Sequence, residues 1–175
     1  MTQITQTTAV VEPAVEIALN EKTRSAVVSH LNIVLADTFV LAQKTRNYHW
    51  NVVGANFPTL HPFFNSQYVE LNETVDEIAE RIRSLGGTPA STLAEIISIS
   101  RIKEESGKTP SAKEMLTQLL SDQESVIRTI RSDLVTITKL EDAGTVEFLT
   151  GLLESQEKMA WTVRATAPPA QLVKA

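Results

Sequence analysis

The chain is 175 residues long and carries 16 basic against 21 acidic side chains, a net charge of −5, with only 5% aromatic residues. That length supports one domain with a sizeable core, and the scarcity of aromatics, glycines and prolines fits helices better than a turn-rich sandwich. There is no cysteine, so disulfides, thiolate-held zinc, iron–sulfur centres and a thiol nucleophile are excluded. Any metal must be held by His, Asp, Glu or Asn.

Residues 1–14, MTQITQTTAVVEPA, are rich in Thr and Gln and read as a flexible arm. Met1 to Asn20 contain no Lys or Arg and no long apolar run, unlike a signal peptide, and no stretch approaches 18 uninterrupted apolar residues. A soluble cytoplasmic protein with no membrane partner is the expectation. The acidic balance argues against nucleic acid as the main partner.

From about Asn20, Val27, His30, Leu31, Val34, Leu35, Thr38, Phe39, Leu41 and Ala42 recur at three- and four-residue steps. This predicts a first helix running to about Val52, broken by Gly54. Asn56 or Thr59 can cap a second helix, whose stripe of Leu60, Phe64, Leu71, Val75, Ile78, Ile82 and Leu85 runs to a Gly86-Gly87 stop. Pro62 fits that helix only if the start lies at about Thr59, which puts the missing N–H in the first turn.

Residues 88–110 read as a long connection with one short helix around the apolar patch Leu93 to Ile99. Ser111 and Glu114 form a capping box for a third helix with the stripe Leu116, Leu119, Gln123, Ile127, Ile130, Leu134 and Ile137. A fourth begins between Asp142 and Thr145, presents Leu149, Leu152, Gln156, Met159, Ala160 and Val163, and ends at Pro168-Pro169. Four long amphipathic helices with the long connection between the second and third predict an all-α, ferritin-like four-helix bundle with a short extra helix in that connection. The expected organisation is a flexible arm over 1–19, one domain over 20–166 and a flexible tail over 167–175.

Three histidines exist. His30 falls on the apolar stripe of the first helix and reads as a buried, hydrogen-bonded side chain. His49 and His61 flank the first interhelix turn, so antiparallel packing brings their imidazoles near each other. On the second helix, Asp76 and Glu80 are four apart and share a face; they are either a solvated face or a carboxylate pair that a cation must join. Asp76 lies 15 positions after His61, about 22 Å along a helix, so one chain cannot offer both to one ion. Glu-x-x-His, the intra-bundle di-iron motif, is absent: Val27, Arg46 and Pro58 stand three before the histidines. If the two histidines and two carboxylates form one site, they come from two chains related by a two-fold axis.

The stretch NYHWNVVGANFPTLHPFF, followed by DEIAERIRSLGGTPAST and later by EKMAWTVRA, resembles the Dps mini-ferritins over roughly residues 20–166. The resemblance implies that His49 and His61 of one subunit and Asp76 and Glu80 of a neighbour are the catalytic and metal-binding set, holding iron as Fe²⁺ and Fe³⁺ at a dimer interface of a hollow dodecamer. It further implies hydrogen peroxide as the preferred oxidant and a ferric mineral inside the shell, an iron-storing ferroxidase that protects against oxidative stress. Four residues after the second histidine, where many members of that family carry an acid, this chain has Asn65, a neutral and weaker ligand that leaves mono- and di-iron occupancy both open. Trp50, beside His49, is by the same resemblance a redox-active neighbour, or else an aromatic filling the subunit interface. Glu141, Asp142 and Glu147 either line a three-fold pore that attracts Fe²⁺ or are helix N-terminal acids favoured by the dipole.

Two other functions compete. A DNA-compacting stress protein needs clustered Lys or Arg, and the arm 1–14 has none while the tail after residue 164 has only Lys174. Weak or absent DNA binding is therefore expected. The other is an inert helical oligomer holding Zn²⁺ on the same ligands.

Overall fold

A computed structural model describes residues 14–104 and 107–167. Five helices follow in order: α1 Glu21–Asn51, α2 Phe57–Ser84, α3 Leu93–Ile99, α4 Ala112–Thr138 and α5 Ala143–Thr166, with no strand among the described residues. Local chemistry fixes the ends. The Asn20 side chain accepts the Thr23 N–H at 2.9 Å, and Thr92 with Glu95 and Ser111 with Glu114 close reciprocal capping boxes on α3 and α4. The backbone N–H of Thr92 and the Ser111 hydroxyl, respectively, are the main reasons the carboxyls of Glu95 and Glu114 sit below their ordinary range. Gly86, at φ 77°, ends α2 in a Schellman motif, with Gly87 N–H on Ile82 O at 3.0 Å and Gly86 N–H on Arg83 O at 2.8 Å.

The start of α2 decides between the two caps that the sequence offers, in favour of Asn56. Gly54 at φ 101° turns the chain early enough for the helix to begin at Phe57, with Asn56 at the N-cap position but making no side-chain cap bond. Pro62 therefore lies inside the helix and past its first turn, where it takes away the N–H that would bond Pro58 O. Of the arm expected over 1–19, residues 1–13 are outside the described residues, while 14–19 lie against the bundle. A Cβ on Gly86 would meet Val15 at 2.7 Å, Leu19 packs on the core, and Leu19 O accepts from Arg24. The tail from 168 onward is likewise outside them.

Helices α1 and α2 run antiparallel, tied at one end by Arg24 to Leu85 O at 3.0 Å and at the other by the histidines of the α1–α2 turn. Helices α4 and α5 make the second antiparallel pair, with Arg164 on Glu124 and Arg131 on Glu157. The four long helices enclose one core in which Leu31, Leu41, Phe64, Leu71, Ile78, Leu119, Ile130 and Leu149 are fully buried. Helix α1 alone among the described helices is long and apolar enough to cross a membrane, yet over half of that stretch is buried inside the bundle, as in a core helix. At the bundle centre, where a di-iron ferritin motif would place carboxylates, neutral amides meet: Gln123 donates to Gln67 at 2.9 Å, and Gln67 to Thr162 at 3.3 Å.

The crossover is laced to α1 by polar bonds. Asn32 takes the Ala90 N–H at 2.7 Å and donates to Thr88 O. Asp37, 1% exposed, accepts the Arg101 N–H at 2.6 Å and its guanidinium at 2.7 Å. Removing one partner of so buried a pair leaves donors unmet, so Asp37→Ala is expected to cost about 3 kcal/mol. A urea midpoint unchanged from the parent would show that the strap contributes nothing.

Candidate metal centre

The last turn of α1 carries His49 and the second turn of α2 carries His61. Antiparallel packing stacks the two rings with centroids 3.8 Å apart and planes 24° from parallel. Each ring's Nδ1 sits on the other residue's backbone carbonyl, His49 Nδ1 to His61 O at 2.8 Å and His61 Nδ1 to His49 O at 2.9 Å. A carbonyl only accepts, so both Nδ1 atoms carry a proton, and in the neutral imidazole this leaves the lone pair on Nε2. That is the tautomer a metal requires, fixed by outer hydrogen bonds of the kind that orient metal-ligating histidines. The arrangement also solves a helix-end problem, because His49 O is among the last carbonyls of α1 and has no intrahelical partner. Phe57 stacks on His61 at 4.8 Å, and the Tyr68 ring stands edge-on to His49 at 5.4 Å. Both imidazoles are half-buried between these aromatic walls.

Asp76 and Glu80 are exposed on α2 and make no hydrogen bond or ion pair within the described residues. No group of three or more His, Asp or Glu that could hold a metal ion forms among the described residues of one chain. The structure thus brings the histidines together and leaves the two carboxylates apart from them, in line with the helical-rise argument. Trp50 is 62% exposed beside His49.

Asn65 has a partner that sequence reasoning missed. The Tyr68 hydroxyl donates to Asn65 Oδ1 at 2.9 Å, and the Arg46 guanidinium lies 5.0 Å over the Tyr68 ring. The signal was present, since Tyr68 follows Asn65 by three and His61 by seven, positions that share a helix face.

His30 Nδ1–H donates to Asp133 Oδ1 at 2.9 Å, and Arg101 reaches the same carboxylate at 3.9 Å. The histidine is hydrogen-bonded as expected from the apolar stripe, although its side chain is 31% exposed rather than buried. Asp142, 3% exposed, caps α5 through Thr145 and pairs with Arg81 at 3.0 Å, so its charge is met inside the chain and it takes the helix-cap alternative. Glu141 and Glu147 are exposed. A groove of about 460 Å³ between α2 and α5 gathers Glu70, Glu73, Glu77 and Glu147, an acidic row that its i, i+3, i+7 spacing would have revealed.

The model of the ferritin-like domain matches residues 28–168. The chain belongs to the ferritin-like family, in its Dps branch. It is 40% identical over 154 residues to a low temperature-induced protein of Nostoc, covering 87% of this chain and 86% of that one. It is 37% identical over 140 residues to DNA protection during starvation protein 2 of Bacillus anthracis, covering 79% of this chain and 94% of the relative. The solved structure of DpsC from Streptomyces coelicolor superposes with a TM-score of 0.86 at 28% identity, over 92% of this chain and 94% of DpsC. Membership in the Dps branch makes iron the expected cargo of this fold.

Proposed function

We propose that this Dps-family chain oxidises Fe²⁺ with hydrogen peroxide at sites shared between two chains, and stores the ferric product in a hollow dodecamer that limits oxidative damage. The observation that carries this reading is the His49–His61 pair, whose Nδ1 atoms are both committed to backbone carbonyls so that both Nε2 atoms are free to bind a cation. Asp76 and Glu80 of a second chain would supply the hard anionic donors, and these favour Fe³⁺ over Fe²⁺ because the higher charge gains more from them. Overall, two Fe²⁺, one peroxide and two protons give two Fe³⁺ and two waters.

Exposed apolar side chains support assembly. Trp50, Val53 and Phe57 cluster at the histidine end, with exposures of 62%, 77% and 43%, and such a patch suits burial against another copy. In this reading Trp50 either fills the interface or intercepts stray oxidising equivalents beside the site. Glu141 and Glu147 supply the exposed acids for an entry pore, and the acidic groove between α2 and α5 offers a surface on which ferric ions can gather.

The test is direct. Anaerobic Fe²⁺ loading followed by peroxide should raise ferric absorbance far faster than in protein-free buffer, with the iron staying in solution. A rise no faster than buffer, or immediate precipitation, would overturn the proposal.

A further inference from the structure

A polar cluster of Asn65, Tyr68 and Arg46 lies beside the histidine pair. Asn65 stands one turn after His61 on the same face of α2 and is half-buried. An amide has only its oxygen to offer a hard cation, because its NH₂ group is a donor. One of that oxygen's two lone pairs already accepts the Tyr68 hydroxyl at 2.9 Å, so a cation there would have to share the oxygen with the phenol proton. Tyr68 in turn has little freedom to leave: its ring edge rests on His49 at 5.4 Å and the Arg46 guanidinium covers its face at 5.0 Å. A cation on the ring face also polarises the phenol toward donation.

Charge points the same way. The histidine half of the site holds one guanidinium and no carboxylate, since Arg46 lies one turn before His49 and position 65 is an amide. Two carboxylates from a second chain bring the local sum to −1, which one divalent ion overcomes and a second would drive to +3. Nothing within the cluster offsets that repulsion.

We infer that Tyr68 is a positioning residue that withholds the Asn65 amide oxygen, so that each His49–His61 pair takes a single divalent cation. The inference rests on the proposed reading of the site, and the experiment separates the two. Co²⁺ is titrated anaerobically into the assembled protein, with heat and visible d–d absorption followed together. The parent should saturate at one Co²⁺ per chain at the site, and Asn65→Asp should raise this to two by restoring an anionic donor. Tyr68→Phe keeps the ring wall and frees the amide, so the Co²⁺ bands should shift and weaken as a further oxygen donor joins.

Two Co²⁺ per chain in the parent, or one in Asn65→Asp, would overturn the inference while leaving the site intact. An unchanged spectrum in Tyr68→Phe would remove Tyr68 from the role. His49→Ala combined with His61→Ala should abolish the bands. If it leaves them unaltered, the reading of the site fails, and the inference with it.

Discussion

Replacing both Asp76 and Glu80 with alanine should lower the initial rate of peroxide-driven iron oxidation by about 100-fold or more, while Glu104→Ala leaves it at the parental value. The two imidazoles that survive hold Fe²⁺ weakly, and the anionic donors that make the ferric state favourable are gone. Folding should be untouched. Both carboxylates are exposed and make no hydrogen bond or ion pair among the described residues, so neither has a partner to orphan. Like charges one turn apart gain slightly from removal when no cation joins them. The rate is read as ferric absorbance growth at matched concentration of assembled protein, with size exclusion alongside. A double variant that assembles and oxidises iron at the parental rate would make Asp76 and Glu80 an ordinary solvated face.

The helices were legible because each signal is local. Periodicity marked the stripes, and Asn20, Ser111 with Glu114, Asp142 and Gly86-Gly87 are caps or stops that act within a few residues of themselves. The sequence leaves the start of α2 open between Asn56 and Thr59 for a physical reason: Gly54 lets the backbone turn back at once, and the backbone bond from Leu60 N–H to Asn56 O starts the helix at the earlier residue without a side-chain cap. Only a start at about Thr59 would have put Pro62 in the first turn, and the helix begins before it. The fact that His49 and His61 meet followed from spacing and antiparallel packing. Their reciprocal Nδ1–carbonyl bonds did not, because these depend on how one helix end abuts another to within a fraction of an ångström. Likewise Asp142 showed no sequence sign of its pairing with Arg81, 61 positions away, and the Tyr68–Asn65 bond looked like an ordinary helix surface.

The sharpest claim of the proposal is that no single chain owns a site, and subunit complementation tests it. One variant, His49→Ala with His61→Ala, keeps the carboxylates; the other, Asp76→Ala with Glu80→Ala, keeps the imidazoles. Each assembled alone should be inactive. A two-fold interface is isologous, so both of its sites are built from the same two patches in reciprocal pairing. If α2 packs antiparallel to its mate with His61 level with the Asp76–Glu80 turn, the axis would cross the helix midway between them, beside Val69, a large apolar side chain left 41% exposed. A mixed dimer therefore contains one complete site and one lacking all four donors. Random pairing after the two variants are unfolded and reassembled together makes about half of the dimers mixed, so about one quarter of the parental rate should return. Mixing without dissociation should restore nothing, because the interfaces stay homotypic. If co-assembled variants remain inactive while size exclusion shows parental assembly, the histidines and carboxylates do not share an ion across the interface. Activity in the carboxylate-deficient variant assembled alone would instead show that Asp76 and Glu80 are not ligands at all.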